Sequence, residues 1–498
     1  MSTTISRNAH WGILLLAILA ITPGLINFTA FEMLSPTIAN DLGVTRAESN
    51  WVTLLGNAAV AFGFLAAVGM CRQTSLRQLT LAALGMLILA SLCAAVAPNL
   101  TLLIASHALQ GFATGLLSSA LVLLLLEQGS PVRLPVTLTV LGTALFGAIT
   151  LGPLVGGLVE HGSAWRALMA GDMVVALLAF VVAWAVVPAQ PALTRSLDIS
   201  ILTLLLGALG LALVFHAVGQ LSWYAWTRPQ VQVPAVLGVA ILLAVLAAEW
   251  GRWGVLGRSS LIGAATISCV AGFAFAGLLA ITVDFLLRVR DLGAQDAGLL
   301  TWPAPAAALL GMAIVGLVCT RRRVILAVGV CGVLLLALAA WLLTHVSAFT
   351  GNPEVLRIAV LLGLGTSLSI GPLLCLTAYA VPGEALGRAV ALVAVLPYVM
   401  MAAAGQVLMY AAGVRQTAHY GNLLWEQGVS TYIGAAGTLP QASTGAQGAT
   451  SSTTAMLNSA LVLGINDVAA AMVLIIVVGA AVALLLLRIG VRQFSFPR

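Results

Sequence analysis

The stretch "AITLGPLVGGLVEHGSAWR", Ala148 to Arg166, sets Gly152, Pro153, Gly156 and Gly157 inside an otherwise apolar run. In water these are the residues least suited to a helix interior, by about 1 kcal/mol for Gly and about 3 kcal/mol for Pro relative to Ala. In lipid the balance differs, because neighbouring helices can satisfy the backbone groups that a proline frees. Small residues spaced four apart also let two helix backbones touch. Ala148, Gly152 and Gly156 have that spacing, and Pro153 kinks the helix at their centre. The stretch reads as a packing hinge on a membrane-spanning helix, so the rest of the chain must supply the helices it packs against.

It does. Of 498 residues, 61% are hydrophobic and 7% charged, against about 25% charged in a soluble domain. The mean hydropathy is +1.10. The chain is therefore read as an all-α polytopic membrane protein. All 21 basic residues are Arg, and the net charge is +6. The Arg residues stand singly or in short groups between apolar runs, a pattern of membrane topology rather than of nucleic-acid binding. The six Cys (71, 93, 269, 319, 331 and 375) lie in or beside apolar runs without a CxxC, so neither a metal site nor a disulfide is expected. No nucleotide-binding fingerprint, Walker motif, HExxH or GxSxG is present, which leaves an ATP-driven pump or a hydrolase without a site. No cofactor is expected.

A span needs about 20 apolar residues. Fourteen runs qualify: 12–34, 51–71, 78–98, 101–126, 134–159, 167–187, 199–219, 231–249, 262–287, 298–319, 324–343, 356–381, 388–411 and 467–487. The polar Met1–His10 segment is short and the run after it long, so it is read as a first span rather than a cleaved leader. An even number of spans puts both termini on one side. Fourteen Arg residues, including Arg321, Arg322 and Arg323, fall on that side and seven on the other. The positive-inside rule then makes both termini cytoplasmic, and the membrane is expected to be a bacterial inner membrane. Residues 412–466 form a long outer connection. Their Gly, Ser, Thr and Ala-rich part, 436–455, favours a flexible segment.

"AITLGPLVGG" resembles the antiporter motif (small-xxx-Gly-Pro-xx-Gly-Gly) in the fifth helix of major facilitator superfamily exporters, and the following Trp165 and Arg166 fit. "SPTIANDLGVTRAESNWV" (35–52) is similar to the junction of helices one and two in the fourteen-helix drug:proton antiporter branch. "LIASHALQGFATG" (103–115), "AGLLTWPA" (297–304), "GEALGRAVAL" (383–392) and "LGINDVAAA" (463–471) resemble later motifs of that branch. The resemblance implies a major facilitator fold with 14 transmembrane helices. An N-terminal six-helix half (1–190) and a C-terminal half (256–498) flank an inserted pair, helices seven and eight (191–255). It also implies alternating access by rocking of the halves. The antiporter motif (Ala148, Gly152, Pro153, Gly156, Gly157) would then seal the cavity and favour export.

The departures fall at mechanistic positions. The family's first helix reads roughly Leu-Asp-xx-(apolar)-x-Asn-x-Ala-Leu-Pro. Counted back from Pro36, this chain has Asn27 for the Asp and Glu32 for the Asn. His107 stands for the fourth-helix Arg, and Asp172 for an Asn of the sixth helix. In the inner loop "GMCRQTSLR" (69–77), Gly69 and Arg77 of the family's gate survive, while Gln73 and Leu76 replace its Asp and Gly.

Glu32 and His107 are expected in the outer third of the bilayer, where they would form a pair that takes up and releases a proton. Two plainer readings stand beside this: Glu32 reaching interfacial water, and His107 as a neutral packing residue. Glu32 lies five residues from Asn27, about 140° around a helix at about 100° per residue, so it cannot serve the same face. Asp284 is a third proton-coupling candidate, or else an interface anchor paired with Arg288. Asp172 and Asp467, at the outer starts of their spans, are read as interfacial, and His216 as outside the path. Asn27, Gln110, Thr114, Trp302, Tyr398 and Gln406 are candidates for lining a substrate cavity.

The expected function is proton-coupled export of small amphipathic compounds, drugs or secondary metabolites. One charge moving inward releases about 2.3 kcal/mol per 100 mV. The alternatives are a dedicated metabolite or siderophore exporter, an uncoupled facilitator, or a non-transporting membrane receptor or assembly partner. The partners implied are the substrate, protons, the lipid bilayer and a periplasmic adaptor, with no nucleic acid.

Overall fold

The computed structural model describes residues 7–70, 74–128, 134–160, 164–188, 201–250, 259–319, 322–380, 383–435 and 446–491. Among these residues the elements are helical and no strand is found. The helices are α1 (Arg7–Leu42), α2 (Arg46–Met70), α3 (Leu76–Ala95), α4 (Leu100–Gln128), α5 (Leu134–Leu158), α6 (Trp165–Val186), α7 (Ile201–Gln220) and α8 (Pro229–Trp250). They continue as α9 (Ser259–Asp284), with a π-helical turn over Phe285–Val289, then α10 (Ala294–Leu300), α11 (Pro303–Val318), α12 (Arg322–Leu343), α13 (Asn352–Ala380), α14 (Gly383–Ala435) and α15 (Ala446–Val491). Thirteen helical segments are long and apolar enough to cross a membrane. One of them, Ala294–Val318, joins α10 and α11 across a break at Thr301 and Trp302. α5, a helix of 25 residues, adds a shorter apolar segment over Gly147–Leu158.

Packing partners repeat along the chain. α1 packs on α5 and α6, α2 on α4, and α3 on α4 and α6. Eight spans later, α9 packs on α14 and α15, α11 on α13, and α12 on α13 and α15. The first six helices meet the last six through α5 on α10 and α11 and through α2 on α14, while α7 and α8 pack on each other and α7 also touches α2. Backbones come close where side chains are absent. A β-carbon at Gly111 would lie 2.2 Å from the Gly56 carbonyl oxygen, and one at Gly115 would lie 2.2 Å from that of Val60, so α2 and α4 touch main chain to main chain. Such contact replaces the hydrophobic drive that lipid removes.

Turns are locally encoded. After α1 the chain reverses through Gly43 at φ 65°. Thr45 then caps α2: its hydroxyl accepts from Glu48 N (3.2 Å), while the Glu48 carboxylate accepts from Thr45 N (2.8 Å). Ser75 and Gln78 make the same reciprocal cap on α3.

The 412–466 connection corrects the sequence reading. α14 runs on through Ala435 and α15 begins at Ala446; only 436–445 fall outside the described residues. A span is an already nucleated helix, so extending it costs little per residue. Side chains then staple the two extensions: Asp467 accepts from Arg415 Nε (2.6 Å) and His419 Nε2 (2.8 Å), and Gln416 Nε2 donates to the Leu457 carbonyl (3.2 Å). Asp467 is thus a mid-helix clasp rather than the start of a span. The expected boundaries near 190 and 255 fall beside or within 189–200 and 251–258, and Gln73 within 71–73, all outside the described residues.

Candidate functional site

The Gly-Pro stretch forms the wall between the two groups of helices. Gly152 and Gly156 face α1: a β-carbon on either would meet Thr29 and Ile26, or the Ala30 carbonyl at 2.7 Å. Pro153 and Gly157 face α10, where the Gly157 β-carbon would stand 2.4 Å from the Ala294 carbonyl oxygen. Reciprocally, a β-carbon on Gly298 would lie 2.7 Å from the Pro153 carbonyl. Proline has no N–H, so the carbonyl four residues back, Ile149, loses its helical partner. The Thr29 hydroxyl of α1 donates to that carbonyl at 2.5 Å. Ala148 is buried in the core beside it. Just past α5, the Glu160 carboxylate accepts from Gln295 N (3.1 Å) in the first turn of α10, where the helix dipole favours an anion.

Other ties gather at this same end of the bundle, the end bearing the α1–α2 turn. Asp41 accepts from Trp165 Nε1 (3.0 Å) and from Arg166, which also donates to the Ala97 carbonyl (3.0 Å). Ser35 bonds Ser49 (2.6 Å) and Asn50 (2.9 Å) across the α1–α2 hairpin. Asp284 accepts from Arg288 (3.2 Å) and lies 3.9 Å from Arg46 of α2, so besides the expected i+4 pair it has a partner across the molecule.

The structure does not bring Glu32 and His107 together. The His107 ring packs on Phe31 with centroids 4.3 Å apart, and Nδ1 donates to Gln110 Oε1 (2.9 Å). Gln110 Nε2 donates onward to Ser91 Oγ (2.8 Å), linking α4 to α3. Neighbouring residues on a helix point about 100° apart, so Phe31 against His107 turns Glu32 away. Glu32 is half-buried and points at α14 and α9: a β-carbon at Gly405 would lie 3.0 Å from Glu32 Oε1 and 3.4 Å from that of Ala280. No hydrogen bond or ion pair joins Glu32 to any described residue. One turn earlier, Phe28 of α1 meets Tyr398 of α14 edge-on at 5.0 Å, and Phe64 of α2 completes the aromatic group at 5.7 Å. The Tyr398 hydroxyl is buried without a partner among the described residues.

Asn27 faces α6, where its Nδ2 donates to Asp172 Oδ2 at 2.6 Å, and both residues are buried, at 1% and 6% exposure. Asp172 is therefore not interfacial. The residue sits seven positions into α6 and is buried among helices. The sequence carried a signal for this pairing, since the amide and the carboxylate are the two departures that exchange places relative to the resembled pattern. Thr114 fills the space over Gly24, with its hydroxyl donating to the Gln110 carbonyl (2.9 Å). Gln406 accepts from Ser222 of the α7–α8 turn (3.4 Å). Trp302, at the α10–α11 break, is 55% exposed. Arg77 donates to the Trp184 carbonyl (2.9 Å) at the C-terminal turn of α6, and Gly69 packs on Leu204 of α7. Among the described residues, no group of His, Cys, Asp and Glu could hold a metal ion.

The sequence profile of the Major Facilitator Superfamily matches residues 16–405. The chain belongs to this superfamily of membrane transporters. It is 26% identical over 363 residues to a "Multidrug resistance protein B homolog" of Mycobacterium tuberculosis, covering 70% of this chain and 66% of that one. It is 24% identical over 372 residues to the "Tetracenomycin C resistance and export protein" of Streptomyces glaucescens, covering 72% and 68%. The chain thus spans about two thirds of the length of these curated relatives. A crystal structure of a bacterial homologue of the human lysosomal transporter Spinster shares the fold, with a TM-score of 0.61 at 14% identity over 99% of this chain and all of that one. The superfamily and its structural neighbours are transporters rather than enzymes.

Proposed function

We propose that this protein exports small amphipathic compounds in exchange for protons by alternating access, with residues 1–190 and 256–498 as the moving halves and 191–255 as an insert. Both termini are cytoplasmic in this reading, in an inner membrane. The observation that carries it is Glu32: a carboxylate within a span, without a counter-ion among the described residues, set where α1 looks across at α9 and α14. Ionisable groups within spans are costly and, where they occur, mark substrate or proton pathways. The aromatic faces of Phe28, Phe64 and Tyr398 one turn away suit an apolar or cationic ring. The relatives' names, for resistance and export, support the direction, as does the α5 seal. His107 serves here as the packing residue that orders Gln110.

The test uses purified protein in proteoliposomes under an imposed pH gradient, with a panel of lipophilic cations and neutral drugs. Substrate-dependent proton flux is expected in the wild type and its loss in Glu32→Gln. Undiminished flux in Glu32→Gln would remove Glu32 from the coupling site, and no flux with any compound would overturn coupled export.

A further inference from the structure

We propose that Asp172 and Asn27 form a second proton-binding site, in which the Asp172 carboxyl gains and loses a proton against the Asn27 carboxamide. The proposal rests on the proton-coupled reading above and extends it to a residue outside the α1–α14 face.

Asp172 lies about 10 Å along α6 from its first residue, at about 1.5 Å per residue, and is buried between α6 and α1. Among the described residues it accepts a single hydrogen bond, from the neutral Asn27 amide at 2.6 Å. α6 packs on α1 and α3, and none of the charged groups that these helices offer is paired with Asp172. On α6, Arg166 is held by Asp41. On α1, Glu32 points at Gly405, Asp41 holds Arg166, and Arg7 and His10 stand at the opposite end of the helix. On α3, Arg77 caps the far end of α6 and Cys93 is a free thiol. On α4, which reaches α6 through Gln110 and Met169 (3.8 Å), His107 is tied to Gln110. A buried carboxylate facing only an amide is poorly compensated.

The independent observation is on the partner. Asn27 Oδ1 is fully buried and receives no donor among the described residues, although buried amide oxygens are as a rule hydrogen-bonded. Protonation of Asp172 supplies the missing donor. With Nδ2–H donating to Oδ2 and the new acid O–H donating to Asn27 Oδ1, the two side chains close a ring of two hydrogen bonds. The balance is simple: one proton from water adds to one carboxylate, an O–H bond forms, and the reverse step returns the proton to water. The two states differ by one hydrogen bond between α1 and α6, so proton occupancy is linked to how tightly these helices pair.

Two readouts test this, on the full-length protein in lipid. The first is infrared titration of the protonated carboxyl C=O band, which needs no transport. A component of that band is expected to vanish in Asp172→Asn, whose amide still donates and accepts and so preserves the pair. The second is proton flux per substrate exported, expected to fall in Asp172→Asn, where Glu32 remains, and to be restored in the exchange variant Asn27→Asp/Asp172→Asn, which returns a carboxyl to the other side of the same bond. An Asp172→Asn protein with the wild-type band and wild-type flux overturns the site while leaving coupled export intact. If the wild type moves no protons but loses the band component on Asp172→Asn, the site stands and coupled export falls. Failure of the exchange variant to restore flux, in a protein with wild-type thermal stability, overturns the role of the pair in coupling.

Discussion

Thr29 does a job that its neighbours on α1 cannot do. The proline at the centre of α5 orphans the Ile149 carbonyl, and the Thr29 hydroxyl is the donor that replaces the missing N–H. Thr29→Val keeps the shape and removes the donor, leaving a buried acceptor unmatched. It should lower stability by about 1–3 kcal/mol, read as a lower thermal unfolding midpoint in detergent, and Thr29→Ser should recover most of the loss. The sequence showed that Gly152 and Gly156 want a close neighbour, because four-residue spacing is visible in one dimension. It did not show which helix supplies the donor, because 120 residues separate Thr29 from Ile149. The same limit left the Asn27–Asp172 bond visible only as an exchange of residue types between two helices, and let Glu32 and His107 be paired by depth alone. Depth in the bilayer can be counted along a chain, whereas the direction of a side chain depends on rotation of the helix, and Phe31 rather than Glu32 was turned to the imidazole.

At the scale of elements, the decisive feature is that α5 has two different glycine faces. Gly157 meets backbone of α10, which cannot rotate out of the way as a side chain would. Gly157→Ala should therefore separate α5 from α10, cost about 1–3 kcal/mol of stability through overpacking, and raise substrate-independent proton leak in proteoliposomes. Gly171 on α6 has nothing within 4 Å of its missing β-carbon. Gly171→Ala is expected to leave leak unchanged and to raise the unfolding midpoint, by up to about 1 kcal/mol from helix propensity. The number of spans was legible because apolar runs of membrane length need no tertiary information. The extensions of α14 and α15 were not, since Gly, Ser and Thr-rich composition argues against a helix unless a neighbouring span has already started one.

For the whole molecule, the contacts that join the first six helices to the last six include several at the α1–α2 end: Gly157 with Ala294, Glu160 with Gln295, and Arg46 with Asp284. Opening that end must break them. Arg46 is 46% exposed and its distance to Asp284 is 3.9 Å, so the pair contributes about 1 kcal/mol or less. Arg46→Ala should raise the share of molecules open at this end by no more than about fivefold, measured as faster labelling of a cysteine placed near the Glu160 turn. An unchanged labelling rate would show that the backbone seal alone sets the equilibrium.

α14 is 53 residues long, about 80 Å at about 1.5 Å per residue, against a hydrocarbon core of about 30 Å. Arg415 and His419 clasp it to Asp467 of α15, and the helix runs on past that clasp to Ala435. Its last 24 residues, 412–435, measure about 36 Å, so a tilt of about 10° at the root swings the tip by about 6 Å. In the proposed rocking of the two halves, a movement small at the seal would therefore be larger at the tip of this helix.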